Sequence, residues 1–190
     1  MTDLQLLNLS YCEYLKVIPP NVISNLKWLE ELYMEDSFNQ LEVERQGSEG
    51  IKAMVSELNH LSHLTTLSIH IPNAKILPSA FCFGKSEKCI ILIGDSWDWN
   101  SEFEISRTVK LKLDESCQSQ DEIKTLLKSY EDLFVDDVKD VKNILYDFDW
   151  EGLQQLKHLR VQNNAEIQYI INSMECQHVA FPVLESIYII

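Results

Sequence analysis

Leu156-Lys-His-Leu159-Arg-Val161-Gln-Asn-Asn164 is the stretch from which the rest of the chain can be read. Leu159 and Val161 alternate with polar neighbours, the pattern of a short strand with one buried face. Leu156 stands one template step ahead of them. Asn164 closes the stretch where a turn would leave backbone groups to be satisfied by a side chain. Outward from here, Leu-x-x-Leu-x-Leu returns as Leu4-x-x-Leu7-x-Leu9 followed by Cys12, as Leu29-x-x-Leu32-x-Met34, as Leu64-x-x-Leu67-x-Ile69 and as Leu184-x-x-Ile187-x-Ile189. Between Ile69 and Leu156 it decays into the apolar run Cys89 to Ile93, the alternation Val109-x-Leu111-x-Leu113 and the loose match Tyr130-x-x-Leu133-x-Val135.

Successive segments lie roughly 20 to 35 residues apart, and most fall in or near the spacing of leucine-rich repeats. The expectation is an α/β fold, a leucine-rich repeat solenoid shaped as an irregular horseshoe. It has a parallel concave sheet and mixed helix and loop on the convex side. Residues 1–190 then form a single domain of about eight irregular repeats, which no unit could stabilise alone. Gly50 to Leu61, with Ile51, Met54, Val55 and Leu58 at helical spacing, predicts an amphipathic helix, and Asp121 to Tyr130 predicts a second. Ile18-Pro19-Pro20 and Ile76-Leu77-Pro78 predict extended returns. Glu35 to Gly50 is polar and reads as an inserted loop, with Gly47, Ser48 and Gly50 as its most mobile part. The template leaves strand registers between residues 71 and 126 open.

The 190 residues are 45% hydrophobic and 24% charged, as in an ordinary soluble domain. A net charge of −14 argues against nucleic acid and anionic membranes as partners, since both require clustered Lys and Arg. No apolar run is long enough to span a bilayer, and Met1-Thr2-Asp3-Leu4 does not open a signal peptide. The five cysteines (Cys12, Cys82, Cys89, Cys117 and Cys176) are odd in number and contain no Cys-x-x-Cys, so reduced thiols in the cytoplasm are expected.

Chemistry-bearing constellations are sparse. His60-x-x-His63 lacks further ligands at metal spacing. Asp95, Asp98, Asp147 and Asp149 read as solvated loop carboxylates, and Trp97 and Trp99 as packing within an inserted turn. No cysteine or serine has the context of a nucleophile. The expectation is a protein without catalytic residues, metal ligands or a cofactor of its own. The functional candidate is the strand face, where side chains between the inward leucines share one surface. Tyr33, Glu35, Ser68, His70, Lys110, Lys112, Phe134, Asp136, His158, Arg160 and Tyr188 are its candidate partner-binding residues. Mixed aromatic and cationic composition suits a protein interface.

Leu4-Gln-Leu-Leu-Asn-Leu-Ser-Tyr-Cys12, Leu15 to Ser24, Leu29-Glu-Glu-Leu-Tyr-Met34, Leu61-Ser-His-Leu-Thr-Thr-Leu67, Ile93-Gly-Asp-Ser-Trp-Asp-Trp99, Gln155 to Asn164 and Phe181 to Ile187 together carry a resemblance. The chain resembles the leucine-rich repeat region of plant disease resistance proteins with a coiled-coil and a nucleotide-binding module. That resemblance implies recognition of a pathogen effector or a guarded host protein, and docking on the receptor's own nucleotide-binding module. The family's ADP or ATP would sit in that module; this sequence has no Gly-x-x-x-x-Gly-Lys-Ser/Thr loop. A start and a stop within repeats suggest a fragment of a larger receptor. The alternatives are a stand-alone repeat adaptor or decoy, or a non-functional truncated remnant.

Overall fold

Every segment selected by the template or by apolar alternation lies on a strand: β1 Leu6–Asn8, β2 Glu31–Met34, β3 Thr66–Ile71, β4 Lys88–Gly94, β5 Arg107–Lys112, β6 Asp132–Asp136, β7 His158–Gln162 and β8 Ser186–Ile189. The computed structural model describes residues 3–12, 14–15, 18–37, 47–78, 87–95, 107–113, 120–148, 153–170 and 181–190. Each strand pairs in parallel with the next in sequence, so one eight-stranded sheet runs from β1 to β8 in chain order. Parallel neighbours need a long crossover, and the connections between these strands supply it.

Period-two alternation sends Leu32, Met34, Leu67, Ile69, Ile91, Val109, Leu133, Leu159 and Val161 to one face, each nearly or wholly inaccessible. Helices cover that face. In α1, Gly47–Glu57, Ile51, Met54 and Val55 enter the core at helical spacing. In α2, Gln120–Leu127, Ile123, Leu126 and Leu127 do the same, and the short α3, Ile144–Asp147, adds Ile144. Both helices foreseen in the sequence are present. The loop expected over residues 35–50 needs correction at its end, because Gly47, Ser48 and Gly50 belong to α1. The first turn of a helix leaves its N–H groups unbonded within the helix and accommodates Gly and Ser. Residues 38–46 of that loop lie outside the described residues.

The register across the middle of the sheet contains a shift. Leu32 pairs with Leu67, and Leu67 with Cys89 and then Arg107. Ile69, the second core residue of its segment, pairs through Ile91 and Val109 with Leu133, then Leu159 and Ile187. The later segments are thus displaced by two residues relative to the early ones. A displacement of one would turn every side chain to the opposite face, whereas a displacement of two preserves the faces. The long strands β3 and β4 span both registers and make the shift possible.

Turns out of the strands recur in a common form. Tyr11, Asp36, Asp137 and Asn163, shortly after β1, β2, β6 and β7, have positive φ, and Asp and Asn tolerate that region better than most residues. At the end of β4 the residue is Gly94, with φ 104°. A Cβ there would overlap the Lys112 carbonyl, so glycine is required for β4 and β5 to approach. Asn164 acts as the template anticipates. Its Oδ1 accepts from Val138 N at 2.8 Å, and its Nδ2 donates to the carbonyls of Val135, at 3.2 Å, and Gln162.

Candidate functional site: the polar face of the sheet

All the strand residues expected to share a surface do so. One row across the sheet reads Asn8, Tyr33, Ser68, Ile90, Thr108, Asp132, His158 and Ser186. The next reads His70, Leu92, Lys110, Phe134, Arg160 and Tyr188. Glu35 follows β2, while Lys112 and Asp136 lie near the far ends of β5 and β6. The register shift sets Ser68 level with Thr108 rather than with Lys110. Thr108 and Asp132, each one place before an inward residue, also belong to the face although the sequence reading omitted them; Asp132 holds the position of His158.

Exposure divides the face. Ser68, His70, Lys110, Phe134 and Asp136 share the face but are buried, which removes them from the candidates for direct partner contact. Neighbouring strands stand about 4.8 Å apart, so side chains in a row shield one another where they also bond. Ser68 Oγ donates to Glu35 Oε1 at 2.5 Å. His70 joins two turns, with Nδ1 2.7 Å from Asp36 Oδ1 and Nε2 2.6 Å from the Gly94 carbonyl. Asn163 Nδ2 donates to Asp136 Oδ1 at 2.8 Å. The Lys110 ammonium lies over the Phe134 ring, 5.7 Å from its centroid. Burial lowers the Lys110 pKa, and the charge of Glu35 opposes that effect. Tyr33, Glu35, Lys112, His158 and Arg160 are half-buried, and Tyr188 is 45% exposed.

Asp132, His158 and Ser186 form a short polar line over β6, β7 and β8. His158 Nδ1 is 2.7 Å from Ser186 Oγ, but His158 Nε2 is 4.0 Å from Asp132 Oδ1, beyond hydrogen-bond distance. The line is therefore not an assembled nucleophile–base–carboxylate triad. Thr108 Oγ1 donates to Asp132 Oδ2 at 3.3 Å, while Oδ1 is buried without a hydrogen bond. Burial raises the Asp132 pKa to about 6, against the opposing effects of His158 and Thr108.

Other residues weighed for chemistry have structural surroundings. The His63 ring stacks on Trp28 at 4.8 Å. Asp147 Oδ2 accepts from the backbone N–H groups of Lys142 and Asn143. Asp95 is exposed just after β4. Cys89 is buried with Sγ 3.2 Å from Tyr130 OH, and Cys12 is half-buried. Asp98, Asp149, Trp97, Trp99, Cys82, Cys117 and Cys176 lie outside the described residues. Among the described residues no helix is long and apolar enough to cross a membrane. No family model matches the chain, nor does any curated protein or solved structure.

Proposed function

We propose that the chain is an irregular leucine-rich repeat solenoid that recognises protein, with plant immunity as its setting and no catalytic step of its own. The observation that carries this reading is the sequential eight-stranded parallel sheet with helices on its apolar face. That arrangement leaves the other face to side chains such as Tyr33, His158, Arg160 and Tyr188, which retain access to solvent. Aromatic and Arg side chains on a rigid sheet supply contact area at low entropic cost. The immune setting rests on the sequence resemblance, which spans nearly the whole chain. On that reading the partner is a pathogen effector, a host protein or a receptor nucleotide-binding module, in the cytoplasm.

The test is panning of a displayed random-peptide library on the immobilised 190-residue chain, repeated with Tyr33→Glu/Arg160→Glu and with Lys52→Glu on α1. Enriched peptides should be lost with the face variant and kept with the helix variant. Peptides that ignore the face variant would sink the reading. For the immune setting, the chain expressed in leaf tissue beside an autoactive nucleotide-binding module of the family should restrain its cell-death response. An unchanged response would remove that part.

A further inference from the structure

Among the described residues β8 has a strand neighbour on one side only, where β7 holds it in parallel register. Successive residues of a strand turn their backbone groups to opposite edges. Ser186 N and Ile190 N donate toward β7, to the carbonyls of Lys157 and Val161, so the N–H and C=O groups of Ile187 and Ile189 face the open edge. The side chains of the same two residues lie on the apolar face of the sheet. They are nevertheless 44% and 66% exposed, where Leu159 and Val161, their register partners on β7, are at most 2%. Edge strands are commonly shielded by a proline, a Lys or another charged side chain, and Ser186 to Ile190 contains none. The opposite edge differs: β1 is three residues long, its inward Leu7 is half-buried, and Glu31 of β2 pairs with its first residue.

We infer that β8 is a homotypic edge, against which a second copy of this chain lays its own β8 antiparallel about a twofold axis at Tyr188. This pairing is independent of what the polar face recognises. With the axis perpendicular to the sheet, Ile187 of each copy stands opposite Ile189 of the other, and both pairs lie on the apolar face. Each pair exchanges two N–H···O bonds, so every edge-facing group of Ile187 and Ile189 is satisfied. The strand is thus its own complement: the two aliphatic side chains and the donors and acceptors that it lacks are the ones it presents. Such an isologous contact closes at two copies, whereas β8 stacked on β1 of another copy would leave both ends open and grow without limit. Two molecules at −14 repel each other, and least where the meeting segments carry no charged side chain, as Ser186 to Ile190 does not.

Sedimentation velocity of the full chain over about 5 to 500 µM should show a monomer that converts to a dimer and stops there, as a small interface gives. Raising salt from about 50 to 300 mM should favour the dimer, because screening relieves the repulsion between copies. Ile189→Lys should leave the chain monomeric over the same range. Ile189→Pro should do the same without disturbing the ladder to β7, because the N–H it removes faces the open edge. Both variants should keep the wild-type circular dichroism spectrum, since Ile189 lies outside the apolar core. Mild oxidation of Tyr188→Cys should yield a disulfide-linked dimer, the two Cα atoms standing about 4.5 Å apart across the axis. Ser186→Cys, which stands far from its own copy, should cross-link no more than the wild type, whose native cysteines set the background. Hydrogen exchange in β8 should slow as protein concentration rises. A monomer at every concentration, growth beyond the dimer, or a dimer indifferent to both Ile189 substitutions would each overturn the inference. So would a dimer that salt dissolves, or equal cross-linking at positions 186 and 188.

Discussion

Asp132 shows at the level of one residue how the face trades stability for polarity. Its side chain is wholly inaccessible, and Thr108, His158, Glu131 and Lys157 are the polar and charged groups that act on it. The unfolded carboxyl gives up its proton near 3.8, whereas the folded one keeps it to about 6. Between those values the native state binds more protons, so stability falls as pH rises through the interval and stays reduced above it. Asp132→Asn removes the buried charge and retains an oxygen to accept from Thr108. The variant should be more stable than the wild type at pH 8, by on the order of 2 kcal/mol, with the advantage gone near pH 4. Thermal melts at the two pH values check this. A difference of the same size at both would mean that the side chain acts through packing or hydrogen bonding, and a less stable variant at pH 8 would mean that the charge is not a burden.

The strand-plus-turn element owes its form to a few side chains that serve backbone groups, and Asn164 is the clearest. Its amide reaches Val138 N, Val135 O and Gln162 O, tying the exit of β7 to the exit of β6. Asn164→Ala would leave these partly buried groups without that partner, so a loss of about 2–3 kcal/mol is expected in urea unfolding, whereas Asn164→Asp keeps the acceptor toward Val138 and should lose less. Equal losses would show that the amide donor carries the turn. This element was legible from sequence because Asn164 ends a full template match. The positions of all eight strands were legible for a related reason: Leu, Ile and Val at period two have few alternatives once one face is buried. The register through the middle was not. Cys89 to Ile93 is apolar at every position, so alternation cannot say which of its residues align with Leu67 or Ile69. Thr108 and Asp132, one place before Val109 and Leu133, were legible by the same alternation that picked out His158 and were passed over, whereas the burial of Lys110 and Phe134 depends on neighbours 24 residues or more away in sequence, which no local pattern records.

For the whole molecule, sequential pairing means that each strand is held by its two neighbours in the chain, and β1 and β8 by one each. Every residue of β6 is buried, whereas three of the four in β8 are exposed, Ile187 and Ile189 among them. Opening β8 exposes little additional apolar surface; opening β6 divides the core. Fraying should therefore proceed from the ends, in the manner of stacked units with nearest-neighbour coupling. Native-state hydrogen exchange should find β1 and β8 least protected and β4 to β6 most protected. Amides that bridge to the last strand, such as Ser186 N to Lys157 O, should exchange well before the internal Glu131 N to Arg107 O. Uniform protection from β1 to β8 would instead mean that the sheet unfolds as a single cooperative block. The same gradient constrains recognition, because Arg160 and Tyr188 sit on β7 and β8. A partner that binds there couples its affinity to the closing of the frayed end, and must offset the free energy of ordering it. A saturating library peptide whose binding depends on Arg160 should thus slow exchange in β7 and β8 selectively and leave β4 to β6 unchanged, while a peptide bound at the β1 end would protect β1 and β2 instead.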